Sequence, residues 1–346
     1  MDDRPKLLTG HALGGFEIGH RVVLPGALRL SGAEPARQAN QDQTEACRRR
    51  ATKGGLLISE PIAVAPHGIG LGAAHLLQAP WAGARAGKLD LRSWCPAIQA
   101  VQARGGRILA QLWHAGRLAH SSVIGAGPVG ASSLPCLGPV RAADGALVPG
   151  EHPRPLDQDA IDAVIGEFRH AALQARQAGF DGVELNAADG SLPDQFLQDG
   201  SNDRTDRYGG SRDGRMTFAL EVLDALVQVW GADRVGIRLS PLGLLNDMRD
   251  SAPMPLFTEL LGALNEAQIA FVHLVAGGAA MPGPALYGAS GAGQLRAAFR
   301  WSLIVSGDVD TDEAVGLVAA RWADAVGFAD WEGDGPALLA RLRRGA

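Results

Sequence analysis

Residues 158–185 read QDAIDAVIGEFRHAALQARQAGFDGVEL, and the order of parts within this stretch decides the fold. A helix-period segment over 158–178 stops at Gly179, a residue suited to the left-handed turn that ends helices. The short β-rich run Gly182–Leu185 follows at once. The same pairing recurs along the chain. Strand-like runs fall at Arg21–Leu24, Leu56–Ser59, Arg107–Leu112, Val235–Leu239, Ala270–Val275, Leu303–Val305 and Ala325–Phe328. Nearly all are continuous apolar runs, as expected of parallel strands buried on both faces. Helix-period segments lie between them at about 40–53, 91–104, 212–229, 254–267, 310–321 and 335–344. Alternation of this length predicts an α/β fold closed as a (β/α)8 TIM barrel, here a single domain over residues 1–346. One excursion breaks the pattern after strand three. Residues 119–156 are rich in Gly, Pro and Ser, with a hairpin signal at Asp144-Gly145, and are expected to form a lid over the barrel mouth. The Gly- and Ala-rich stretch 63–90 leaves the top of strand two and is expected to join it.

Bulk properties narrow the function classes. The chain has 346 residues, 46% hydrophobic and 20% charged, an ordinary globular balance. A formal charge of −5 gives no pull toward nucleic acid or anionic membrane. The run Arg48-Arg49-Arg50 falls late in a helix, where cations suit the macrodipole, and reads as a solvated helix end. Cys47, Cys95 and Cys136 are odd in number and form no CxxC pair, so reduced thiols are expected, with neither disulfides nor zinc. The charged start and the lack of a long apolar run predict a cytoplasmic protein that acts on a small molecule and takes no nucleic acid or membrane partner. No metal site is expected, since no His/Asp/Glu cluster has ligand spacing. A Gly-x-Ser-x-Gly elbow and a Walker loop are both lacking.

Several ordered segments carry a family resemblance. They are Gln111-Leu112-Trp113-His114-Ala115-Gly116-Arg117, the stretch Asp199–Ser211 with Asp203-Arg204-Thr205-Asp206-Arg207-Tyr208-Gly209-Gly210, and Arg234–Pro241. Gly19-His20-Arg21-Val22 and Ile58-Ser59-Glu60 extend the similarity, which spans residues 16–345. The chain resembles the old yellow enzymes, FMN-dependent ene-reductases. The resemblance implies an FMN over the barrel mouth that is reduced by NAD(P)H and delivers hydride to the β-carbon of an activated alkene. It places Gln111 at the flavin pyrimidine ring and Arg238 near N1 and O2, where a cation stabilises the reduced ring.

Other positions depart from the family pattern. The loops after strands seven and eight read Ser306-Gly307-Asp308-Val309 and Phe328-Ala329-Asp330-Trp331. The family has glycine at Asp308 and the phosphate-gripping arginine at Asp330. Two unit charges about 4 Å apart repel by about 4 kcal/mol at an effective dielectric near 20. That is roughly a thousandfold in affinity. No Lys or Arg neighbours either loop in sequence. Leu28 stands where the family tunes the flavin with Thr or Cys, and Pro61 has no N–H to offer the ring. After strand four, Asn186, Asp189 and Ser191 replace the His-x-x-His or His-x-x-Asn pair and the tyrosine proton donor. Asp194 reads as a helix cap or a solvated residue. His67, Trp113, His114 and Tyr287 are candidate pocket residues, and His273 is expected to satisfy its nitrogens inside the barrel.

These substitutions lead to an expectation of flavin-free, non-redox acid/base catalysis on an enolisable or α,β-unsaturated carbonyl compound, in small-molecule biosynthesis. Asp189 would be the acid/base, with Asn186 or Ser191 orienting the substrate oxygen. No tightly bound cofactor is expected, and Gln111 and Arg238 would be vestigial. One alternative is an FMN-dependent NAD(P)H oxidoreductase with relocated phosphate and proton-donor contacts. The other is a non-catalytic scaffold.

Overall fold

The computed structural model describes residues 4–26, 36–70, 90–275, 292–307, 309–329, 331 and 333–344. Eight parallel strands close on themselves: β1 (Val22–Pro25), β2 (Leu56–Ala63), β3 (Arg107–Trp113), β4 (Gly182–Ala187), β5 (Val235–Leu239), β6 (Phe271–Val275), β7 (Ser302–Gly307) and β8 (Ala325–Phe328). Each pairs with the next, and β8 pairs back to β1. The described helices of six or more residues are α1 (Ala36–Arg50), α2 (Cys95–Gln102), α3 (Gln158–Ala178), α4 (Leu192–Leu197), α5 (Arg212–Trp230), α6 (Pro253–Ala267), α7 (Ala292–Ala298), α8 (Thr311–Ala319) and α9 (Gly335–Arg344). This is the (β/α)8 barrel that the sequence predicts.

Local chemistry explains the boundaries. Asp157 caps α3 by accepting from Ala160 N–H, and Gly179 ends the helix at φ 96°. Asp310 and Glu313 form a reciprocal capping box at the start of α8. The predicted helix over 91–104 begins instead as a 3-10 turn at Leu91–Trp94 and becomes α-helical only at Cys95, with Pro96 in its first turn. The 40–53 helix stops at Arg50, and Thr52 beyond it bonds the His20 ring at 2.8 Å. No helix among the described residues is long and apolar enough to cross a membrane.

Strand side chains alternate between two cores. Outward residues such as Leu57, Ile108, Leu185, Ile237 and Leu303 pack under the helices. Inward residues Val23, Ile58, Leu109, Phe271 and Ile304 fill the barrel. The antiparallel pair His11–Leu13 and Phe16–Ile18 adds Leu13, Phe16 and Ile18 to that inner cluster. Gly15 N–H bonds Asp233 O just before β5, so the hairpin closes the N-terminal end of the barrel. Chemistry is left to the opposite end, where the strands finish.

The excursion contains the hairpin expected at Asp144-Gly145, with Pro139–Arg141 antiparallel to Leu147–Pro149. Val129–Gly130 pairs with Arg154–Pro155. Arg117, buried at the end of β3, ties the excursion to the rim. Its guanidinium donates to Pro135 O at 3.2 Å and to Asn246 O and Asp247 O at 3.3 Å in the loop after β5. Arg50 corrects another expectation. It is not a solvated helix end but is buried, donating to Trp331 O at 2.7 Å and Pro25 O at 3.2 Å.

Gly182 sits where β4 meets the plug. A Cβ there would lie 2.5 Å from Arg234 O and 2.6 Å from the Phe16 ring. Gly182→Ala is therefore expected to destabilise the fold by about 1–3 kcal/mol through overpacking, read as a lower denaturation midpoint. An unchanged midpoint would mean that the plug yields freely.

Candidate active site at the barrel mouth

The inner core turns polar near the strand tops. Gln111 on β3 donates through Nε2 to Glu184 Oε1 on β4 at 2.7 Å. Glu184 Oε2 lies 2.8 Å from His273 Nδ1 on β6, whose Nε2 lies 2.6 Å from Ser306 Oγ on β7. All four residues are buried, and His273 satisfies both nitrogens inside the barrel. Gln111 Oε1 accepts from Asn186 Nδ2 at 2.8 Å, and Asn186 Oδ1 accepts from Ala188 N–H. This chain of bonds gives the Gln111 amide one orientation and leaves its second N–H and that of Asn186 without a partner among the described residues. At Pro61 the β2–β3 register shifts, and the Ser59 hydroxyl takes the Gln111 backbone N–H at 3.0 Å. The irregularity accommodates a proline that has no donor of its own.

Arg238 on β5 is in register with Asn186 on β4 and His273 on β6. Its Nη2 lies 3.1 Å from Asp189 Oδ2, while its Nε is buried without a partner among the described residues. Asp189 has φ 56°, a conformation that Asp tolerates better than most residues. Its N–H donates to Ser240 Oγ at 2.8 Å and its carbonyl accepts from Asn246 Nδ2 at 2.6 Å. The structure thus brings Gln111, Asn186, Asp189 and Arg238 together on three adjacent strand tops. Ser191 lies apart, fully buried at the start of α4, with its hydroxyl donated to Asn186 O at 2.9 Å.

Asp194 is neither a cap nor solvated. It is fully buried in α4, accepting from Gly190 N–H at 2.9 Å and Gln198 Nε2 at 2.7 Å. Burial pushes its carboxyl up to about 7, against the two hydrogen bonds, with nearby Asp189 adding to the rise. His67 and His114, both expected to line the pocket, meet Glu167 of α3 in a cluster that their sequence spacing does not reveal. Gly116 N–H donates to His114 Nδ1 at 3.0 Å, so the proton of this buried, neutral ring is assigned to Nε2. Nε2–H then faces His67 Nδ1 at 2.9 Å, and His67 Nε2–H faces Glu167 at 3.1 Å. A metal would require His114 Nε2 without its proton, so the bonding describes a strut rather than an open ligand set. Trp113 is buried nearby. Leu28, Tyr287, Asp308 and Asp330 lie outside the described residues.

Comparison with known proteins gives the chain its class. Residues 6–330 match the model of the NADH:flavin oxidoreductase / NADH oxidase family. The chain is similar to 12-oxophytodienoate reductase 1 of Oryza sativa subsp. japonica, 35% identical over 332 residues that cover 93% of this chain and 82% of that protein. Among solved structures it is similar to morphinone reductase, with TM-score 0.82 and 33% identity over 98% of this chain and 90% of that one. The old yellow enzyme homologue from Zymomonas mobilis superposes with TM-score 0.85 at 29% identity, covering 99% and 93%. With such a barrel and such a mouth, the chain belongs to the NADH:flavin oxidoreductase / NADH oxidase family, a family of FMN-dependent oxidoreductases.

This overturns two expectations, flavin-free acid/base catalysis and the lack of a tightly bound cofactor. Both expectations rest on charges adjacent in sequence alone. The buried Arg50 guanidinium, 281 positions from Trp331, donates to that residue's carbonyl in the loop after β8 and is a cation that neighbouring sequence does not reveal. The residues at the ring end fit FMN. Arg238 keeps an unpartnered buried Nε–H beside the oriented Gln111 amide, a donor set suited to the pyrimidine edge of a flavin.

Asp194 leads to a test by pH. Its carboxyl in the folded state sits near 7, above the unfolded value of about 3.9. The folded state therefore keeps a proton that the unfolded chain has released, so stability falls as pH rises from about 4 to about 7 and then levels. Denaturation midpoints should show this slope, and Asp194→Asn should remove it. The same slope in both proteins would assign it to another group.

Proposed function

We propose that the protein is an FMN-dependent oxidoreductase that draws on NAD(P)H and reduces an activated alkene in a small, fairly apolar carbonyl compound. The carrying observation is a pair of donors on strands that flank β4: the guanidinium of Arg238, whose buried Nε–H has no partner among the described residues, and a Gln111 amide turned by Glu184. The relatives' names point the same way, since 12-oxophytodienoate and morphinone both name an oxo group. A solved structure of morphinone reductase holds tetrahydroNAD, which supports a nicotinamide partner here.

When bound, FMN supplies the hydride carrier between nicotinamide and alkene. The protein's side chains bind and orient. Gln111 presents its remaining amide N–H, and Arg238 its free Nε–H, to the pyrimidine end of the ring. Asn186 has one amide hydrogen committed to Gln111 and offers the other to the substrate oxygen. Asp189 lines the substrate side and accepts only. Ser191 acts indirectly, holding the Asn186 carbonyl and with it the turn that carries Asp189.

The purified chain incubated with FMN is expected to retain flavin absorbance through gel filtration. Anaerobic NADH or NADPH should bleach those bands, and 2-cyclohexenone should restore them. A colourless protein that oxidises neither nicotinamide overturns the reading.

A further inference from the structure

Each of the two residues assigned to the flavin ring is bonded to a carboxylate. Gln111 is bonded to Glu184 at 2.7 Å, and Arg238 to Asp189 at 3.1 Å. The first pair is part of the buried core. The second is at the mouth, and its geometry is over-determined. Ser240 and Asn246 hold the Asp189 backbone on both sides of its left-handed φ, so the carboxylate has little freedom to swing away from the guanidinium. The side chains of Arg238 and Asp189 are 20% and 22% exposed, so solvent screens the pair only in part.

A reduced flavin gathers negative charge at its pyrimidine end, and a guanidinium there favours reduction. A carboxylate at hydrogen-bond distance from that guanidinium works in the opposite sense, since it offsets the positive potential that the ring would feel. We propose that Asp189 is a positioning residue that lowers the redox poise of the bound flavin through Arg238, making it a stronger hydride donor. The inference rests on the functional reading above and extends it to substrate class. A more reducing flavin suits weakly activated alkenes. That matches a mouth where Asp189 cannot donate to a substrate oxygen and the Ser191 hydroxyl is already committed.

Asp189→Asn tests this in the FMN-loaded protein. Asn also tolerates left-handed φ and keeps both backbone bonds, so the substitution removes charge with little change of shape. The flavin midpoint potential is measured by equilibration with a redox dye. It is expected to rise, shifting the reduced-to-oxidised ratio at least tenfold, or about 30 mV for a two-electron couple. A merely structural role for Asp189 would leave the potential where it was. Equal potentials, or a lower one in the variant, with FMN bound and reduced by NAD(P)H in both proteins, overturn this inference alone. Failure of both proteins to retain FMN overturns the functional reading and this inference with it.

Discussion

A carboxylate sealed inside a barrel must have its charge answered by donors, and Glu184 sets this condition for the whole mouth. Left unpaired at that depth it would cost several kcal/mol. Gln111 and His273 satisfy it from two other strands, and Ser306 completes the imidazole's bonding from a third. The strand tops are thereby held in one mutual register. The amide of Gln111 has no second orientation open to it, and Asn186 follows because its Nδ2 needs the oxygen that Gln111 turns outward. The polar floor on which a ligand would rest is thus a consequence of how the core solves its own electrostatic problem.

Charge at the rim obeys the same logic with more water present. Asp189 and Arg238 are 49 positions apart in sequence and 3.1 Å apart in space. Arg50 reaches the loop after β8 from the opposite end of the chain. In both cases the sign of the local field depends on a partner that adjacent residues do not reveal. The expectation of no tightly bound cofactor, drawn from the Asp308 and Asp330 loops, is overturned by family membership.

Elements with strong local signals were legible. Val235–Leu239, Ala325–Phe328 and the helices over 158–178 and 335–344 are found where apolar runs, helical period and glycine stops put them. Among helices of six or more residues in the described chain, two were not. Leu192–Leu197 is too short to show a period, and Ala292–Ala298 lies in a stretch dominated by Gly and Ala. In the site, Gln111, Asn186, Asp189 and Arg238 were picked out by motif, but the bonds that define their chemistry were not. Glu184 gave no sign that it would turn Gln111. Asp194 reads as a helix cap or a solvated acid, whereas its carboxyl is buried and accepts from Gly190 N–H and Gln198 Nε2. His67 and His114, 47 positions apart, were expected in one pocket, but nothing in the sequence showed that their rings bond each other. Sequence shows residue type and period, whereas partner identity is a property of closure.

The guanidinium of Arg117 has a consequence for how such a mouth can change over evolutionary time. It grips backbone carbonyls on two segments that share no local sequence, with one side-chain contact besides, to the Met248 sulfur. Substitutions along those segments other than at Met248 therefore leave the carbonyl grip intact, while insertions or deletions would pull a carbonyl off its donor. Diversification of ligand preference is channelled toward outward-facing positions of fixed-length loops, such as the exposed Leu137, Leu244 and Leu245.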